Sequence, residues 1–138
     1  MATKPHEKAR QTDRWAETLF RALSARHAKR WRFVSFRGDG KGESRGIVDL
    51  VAIRKNTAAP SDSALKRGDL LEIMLIQVKG GSAALPSADD CRRMRAVARH
   101  HRATTVALFR WQKGAFSEFS VLARGDEWVP TTAQALFG

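Results

Sequence analysis

Two short apolar runs between Gly46 and Gly81 constrain the fold of this chain most strongly. Residues 47–53 read Ile-Val-Asp-Leu-Val-Ala-Ile, and residues 70–78 read Leu-Leu-Glu-Ile-Met-Leu-Ile-Gln-Val. Their length and their content of β-branched residues are typical of strands that are buried on both faces of a sheet. The two runs therefore predict two central strands of an α/β domain.

Polar side chains interrupt these predicted strands at Asp49, Gln77 and Lys79. A carboxylate within a buried strand is costly unless it is paired or holds a metal ion. Gln77 and Lys79 are two residues apart, so a strand directs both side chains to the same face. Such a group could hold a divalent cation and a water molecule beside a phosphate. Antiparallel pairing would bring Asp49 towards the other two, although the sequence does not set the register.

This pattern resembles the PD-(D/E)xK nuclease superfamily, which has the restriction-endonuclease-like fold, and its Holliday-junction-resolvase-like and VRR-NUC-like branches in particular. Asp49 and Lys79 match the family's Asp and Lys, whereas Gln77 stands where the family usually has Glu or Asp. Ile47 and Val48 precede Asp49 in place of the name-giving proline. The resemblance implies an α/β fold with an αβββαβ core and a central mixed sheet of four to five strands, flanked by helices.

The resemblance further implies a site for metal-dependent hydrolysis of DNA phosphodiester bonds. Asp49, Gln77 and the Val78 carbonyl would hold Mg²⁺ or Mn²⁺, and Lys79 would orient the attacking water. Glu17, in the first predicted helix, matches the family's helix-one acid, but an ordinary solvated glutamate is the alternative because helical spacing puts it on the polar flank. A neutral amide at Gln77 should weaken cation binding, so a catalytically inactive nucleic-acid-binding module, with a buried Asp49–Lys79 salt bridge, remains open.

The charge of the chain favours a polyanionic partner. It has 25 Lys and Arg against 14 acids, a net charge of +11 and a pI near 11.0. Each phosphate that such a surface neutralises releases counterions, so we expect DNA to bind through its backbone. The candidate contacts are Lys41 and Arg45 in a glycine-rich loop, and Arg92, Arg95 and Arg99 along a predicted helix. The alternatives are a basic surface that is merely solvated, and a module that binds an acidic protein.

We expect one domain over residues 1–138, with flexible residues 1–11, a long loop over 54–69 and an apolar tail over 125–138. The tail would dock on its own core or on a second protomer, and a homodimer would suit cutting both strands. The other predicted elements are a helix over 12–27 that buries Trp15, Ala16, Leu19, Phe20 and Leu23, a helix capped by Ser87, and strands over 31–36, 103–111 and 115–122.

The sequence also excludes several classes of protein. The single Cys91 excludes an intramolecular disulfide framework and a Cys-rich zinc site, and it suits the reducing cytoplasm, where we expect the protein. No apolar run approaches the ~20 residues of a membrane span, and no signal peptide is evident. A soluble nucleic-acid enzyme is therefore the favoured prediction.

Overall fold

The computed structural model of the chain describes residues 5–36, 46–80, 85–112 and 116–138. The elements are α1 (Pro5–Ser24), β1 (Arg32–Ser35), β2 (Leu50–Lys55), β3 (Leu71–Gly80), α2 (Ala88–His101), β4 (Thr105–Gln112), β5 (Phe116–Ala123), β6 (Glu127–Thr131) and α3 (Ala133–Phe137). None of the helices among these residues is long and apolar enough to cross a membrane.

The described strands form one mixed sheet in the order β1-β2-β3-β4-β5-β6. Neighbours pair antiparallel except β3 and β4, which are parallel and are joined by a crossover through α2. The restriction-endonuclease-like order of helix, three strands, helix and strand is thus confirmed. The expected four to five strands are wrong, because residues 127–131 of the predicted tail add a sixth strand to β5. β5 is therefore an interior strand, and β6 lies at the edge of the described sheet.

The sheet separates two apolar cores, because successive residues of a strand face opposite sides. On one side, Phe20 of α1 packs against Phe109 and Phe119 at ring distances of 5.7 and 5.9 Å. Phe137 of α3 packs in this core, and the Trp31 indole donates a hydrogen bond to its carbonyl at 3.1 Å. On the other side, a smaller core contains Met94 of α2. The C-terminal segment therefore belongs to the domain's own core.

The first helix buries a narrower stripe than its sequence predicts. Ala16, Phe20 and Ser24 are fully buried, at spacings of four residues along one line of the helix. Trp15 is 64% exposed and Leu23 is 41% exposed, so their predicted burial is wrong. The physical reason is that these two residues lie beside the line of α1 that faces the sheet, where none of the described elements covers them.

A capping box defines the start of α2. The Ser87 hydroxyl accepts a hydrogen bond from the Asp90 amide at 3.1 Å, and the Asp90 carboxylate accepts one from the Ser87 amide at 3.2 Å. Both bonds satisfy amides that the helix itself leaves unpaired. The prediction of Ser87 as the N-cap is confirmed, and α2 therefore starts at a fixed point after β3.

Replacing Ser87 with alanine should lower the free energy of unfolding by about 1 kcal/mol, because the Asp90 amide loses its acceptor. Urea denaturation followed by circular dichroism measures this change. Ser63→Ala is the matched control, since Ser63 is exposed in the connection between β2 and β3, and it should change stability by less than about 0.5 kcal/mol. Equal stabilities of the two variants would show that the cap contributes nothing.

Candidate active site

The pairing of β2 with β3 brings the predicted site residues together. Leu50 lies opposite Ile76 in the last pair of the ladder, and Asp49 directly precedes this pair on one strand while Gln77 directly follows it on the other. The Asp49 amide donates to the Ile76 carbonyl at 3.0 Å, which extends the ladder to this point. Gln77 and Lys79 follow on alternate positions of β3 and share one face of the sheet. The register that the sequence left open therefore places these residues at the end of the β2–β3 ladder.

The Asp49 carboxylate lies where the backbone ladder ends. Its Oδ2 accepts a hydrogen bond from the Val78 amide at 2.8 Å, so a side-chain oxygen takes the place of a strand carbonyl. This bond anchors the half-buried carboxylate against β3. Because the N–H and C=O of one strand residue point to the same side, the Val78 carbonyl is directed towards β2 as well. Oxygen atoms from both strands thus converge beside Asp49.

Gln77 has a buried oxygen with no partner. The residue is 7% exposed, and its Oε1 has no hydrogen-bond partner in the described part of the chain. An unsatisfied buried acceptor costs about 1–3 kcal/mol, so its presence needs an explanation. A cation would provide one, because an amide oxygen, a carboxylate and a backbone carbonyl form the all-oxygen donor set that Mg²⁺ prefers. The residues present therefore fit the metal that the sequence resemblance implies.

Within the described residues, Asp49 is the carboxylate of the candidate metal site. Among the described residues, no group of three or more His, Cys, Asp or Glu side chains could hold a metal ion. Mg²⁺ commonly uses one or two protein carboxylates and keeps several waters, so one acid is a small but sufficient set. Asp49 is consequently the residue on which cation binding depends most.

Lys79 is half-buried and directly follows Val78 in β3, and Arg110 lies opposite it on β4. Lys79 has no ion pair with a described acid, so the Asp49–Lys79 salt bridge of the inactive alternative is not formed between these residues. Arg110 lies opposite Lys79 on β4 and opposite Glu118 on β5. The sequence reasoning missed Arg110, although a charged residue inside the apolar run of β4 was the available signal.

The structure places Glu17 apart from the face that carries Gln77 and Lys79. The Glu17 side chain is only 14% exposed and accepts a hydrogen bond from Arg21 at 3.5 Å, so it is more covered than a polar flank predicts. The helix that carries Glu17 packs on the core that contains Val78. Ile73 and Leu75, which share a face of β3 with Gln77, belong instead to the core on the other side of the sheet, with Met94 of α2. Its role as the helix-one acid remains a prediction.

The three predicted phosphate contacts on α2 have different surroundings. Arg92 is exposed and pairs with Asp89 on the same helix. Arg95 donates from Nε to Asp126 at 3.0 Å and also bonds the Ala123 carbonyl, so it ties α2 to the β5–β6 turn. Arg99 is exposed without an acidic partner among the described residues. Arg95 is therefore engaged within the fold. The other two predicted contacts, Lys41 and Arg45, lie outside the described residues.

Arg95→Ala should lower the free energy of unfolding by about 1–2 kcal/mol, because it leaves Asp126 and a backbone carbonyl without their donor. Arg99→Ala removes the same charge from an exposed position and should change stability by less than about 0.5 kcal/mol. Chemical denaturation of the two variants measures the difference. Equal stabilities would show that the Arg95 contacts do not support the fold.

No family model matches the chain, and no curated protein matches it. Among solved structures, the chain is similar to Hjc, a Holliday junction resolvase from the archaeal hyperthermophile Archaeoglobus fulgidus, with 17% sequence identity and a TM-score of 0.46 over 90% of each chain. This similarity assigns no roles to the site residues, and their proposed roles rest on the chain's own geometry. The arrangement of helix, three strands, helix and strand is the one that the PD-(D/E)xK resemblance implied.

Proposed function

We propose that this chain is a metal-dependent nuclease that hydrolyses DNA phosphodiester bonds at the end of the β2–β3 ladder. The observation that carries the proposal is the buried Oε1 of Gln77, which has no partner among the described residues and precedes Val78, whose amide anchors the Asp49 carboxylate. Burial of an acceptor without a donor destabilises the folded state, whereas a cation site requires such oxygens.

Each residue of the site has a distinct role in the proposed reaction. Asp49, Gln77 and the Val78 carbonyl would hold Mg²⁺ or Mn²⁺, and the Val78 amide keeps the carboxylate in position. The bound ion would supply charge stabilisation at the phosphate and lower the pKa of a water molecule. Lys79 would donate hydrogen bonds to a non-bridging phosphate oxygen and to the attacking water. Water would add to phosphorus as the bond to one ester oxygen breaks, and that oxygen would leave with a proton.

The substrate would be held by its backbone. The net charge of +11 and the exposed Arg92 and Arg99 favour phosphate contacts, which carry no sequence information. Lys41 and Arg45 remain proposed contacts of the same kind. We infer recognition through the DNA backbone or its structure, in a cytoplasmic protein that could act as a dimer.

Variants of Lys79 test the proposal. At saturating DNA and Mg²⁺, Lys79→Ala should lower the cleavage rate by about 10²–10³-fold, the usual effect of removing one group that stabilises charge in the transition state. Lys79→Arg should retain part of the rate, because it keeps the charge. Lys66→Ala, an exposed lysine in the β2–β3 connection, is the control and should cleave normally. Undiminished cleavage by Lys79→Ala would refute the assignment.

A catalytically inactive nucleic-acid-binding module is the second candidate. It is favoured by the amide at Gln77 and by the lack of a second carboxylate in the described site. It predicts that the chain binds DNA with the same affinity in Mg²⁺ and in EDTA and releases no product in either.

A further inference from the structure

A second basic site lies at the opposite end of β2 from Asp49. A groove of about 500 Å³ opens where the end of α1, the end of β2 and the start of β3 meet. Its charged lining residues include Arg26, Lys29, Arg30, Arg54, Lys55 and Glu72. Asp49 precedes β2 and Lys55 ends it, so at ~3.3 Å per residue the groove lies ~20 Å from the candidate active site.

Most cations of this groove have no acidic partner in the part of the chain that the structure describes. Arg26, Lys29, Arg30 and Lys55 are exposed, and none of them forms an ion pair with a described acid. The groove's acid, Glu72, is bound by the Arg54 Nε at 2.8 Å. Among the lining residues, five Lys and Arg side chains thus stand against one acidic side chain. Cations that converge in this way raise the local concentration of anions.

Arg54 gives the groove a fixed cationic wall. Its guanidinium lies over the Trp31 ring, 4.4 Å from the ring centroid, and is held there by Glu72. The other cations come from the turn after α1 and from the end of β2, two segments that are distant in sequence. A merely solvated basic surface does not need such convergence on a concave site. The geometry is that of a surface shaped for a polyanion.

We propose that this groove is a second phosphate-binding site, which holds neighbouring phosphates of a nucleic-acid backbone away from the candidate active site. The identity of the ligand rests on the proposed function, since that is what makes nucleic acid the polyanion. The exposure of the four unpaired cations suits a strand that runs along the surface. Because duplex DNA rises ~3.4 Å per base pair, a duplex of about six base pairs spans the ~20 Å between the two sites. Longer duplexes reach both sites, and shorter ones reach only one.

The test compares two double variants that remove the same charge. The groove variant, Lys29→Ala/Arg30→Ala, removes two basic side chains from the groove. The control variant, Arg93→Ala/Arg124→Ala, removes two exposed arginines outside it. Fluorescence anisotropy in EDTA measures binding of a labelled duplex of about 20 base pairs and of a hairpin with about four. For the long duplex at ~0.1 M salt, the groove variant should bind about tenfold more weakly. The slope of the logarithm of its binding constant against the logarithm of salt concentration should be smaller in magnitude by about two. The affinity of the groove variant for the hairpin should fall much less.

Three results would overturn the inference. The first is an equal loss in both double variants, which would indicate general charge. The second is unchanged affinity of the groove variant for the long duplex. The third is a groove variant that loses affinity for inorganic triphosphate but not for DNA, which would make the groove a site for free polyphosphates. Because the assay contains EDTA, it is independent of cleavage: loss of nuclease activity would leave this result intact, and an active nuclease could still fail it. Thermal unfolding checks that both variants are folded.

Discussion

Replacing Asp49 with asparagine is expected to lower the rate of DNA cleavage by about 10²–10³-fold while the chain stays folded. The amide oxygen of asparagine can still accept the hydrogen bond that the Val78 amide donates to Asp49. What the variant lacks is the single carboxylate of the described metal site, so it should also need more Mg²⁺ for half-maximal rate. Single-turnover cleavage over a range of Mg²⁺ concentrations measures both effects.

Asp49→Ala separates the structural role of this residue from its chemical role. It removes the acceptor for the Val78 amide as well as the charge, and it should cost about 1–2 kcal/mol of stability that Asp49→Asn retains. If Asp49→Asn cleaved DNA at the rate of the wild type, the carboxylate would have no role in catalysis.

Gln77→Leu should raise stability and lower activity together. The buried Oε1 has no partner in the described chain, so an apolar side chain of similar size should increase the free energy of unfolding by about 1 kcal/mol or more. The same change removes a proposed cation ligand, so cleavage should fall by at least about tenfold. Gln112→Leu, an exposed position on β4, is the matched control. A Gln77→Leu variant that cleaves normally would remove Gln77 from the metal site.

Gln77→Glu should produce the reverse behaviour. Without metal, a second buried carboxylate beside Asp49 should destabilise the fold, because the two charges repel and the new one loses its hydration. With Mg²⁺ the added charge should strengthen cation binding by about tenfold or more, and binding to the folded state restores stability. Thermal unfolding in EDTA and in Mg²⁺ measures this coupling. If the melting temperature of Gln77→Glu were the same in EDTA and in Mg²⁺, the assignment of Gln77 as a cation ligand would be contradicted.

The central part of the fold was accessible from the sequence because strand periodicity is a local property. Alternation alone puts Gln77 and Lys79 on one face, and their position inside apolar runs marks them as unusual. Ser87 was recognisable for the same reason, since a capping box involves residues three positions apart. The register of Asp49 against β3 was not accessible, because it depends on a pairing that local patterns do not encode.

The errors arose where distant residues decide the outcome. Residues 127–131 contain Pro130 and no clear alternation, so only their pairing with β5 makes them a strand. The pairing of Arg95 with Asp126, on a later turn, could not be predicted either, because Arg95 has the same helical spacing as its exposed neighbours; its contact with phosphates stays a prediction. Trp15 and Leu23 match an amphipathic pattern, yet the sheet covers only the line of α1 that contains Phe20.

The most direct measurement of the central claim is cleavage of one end-labelled DNA duplex under three conditions. These are the wild type with Mg²⁺, the wild type with EDTA, and Asp49→Asn with Mg²⁺. The proposed mechanism predicts products in the first condition and almost none in the other two. Products in EDTA, or from Asp49→Asn at the wild-type rate, would contradict a metal site at Asp49. Binding without products in any condition would instead make the chain an inactive nucleic-acid-binding module.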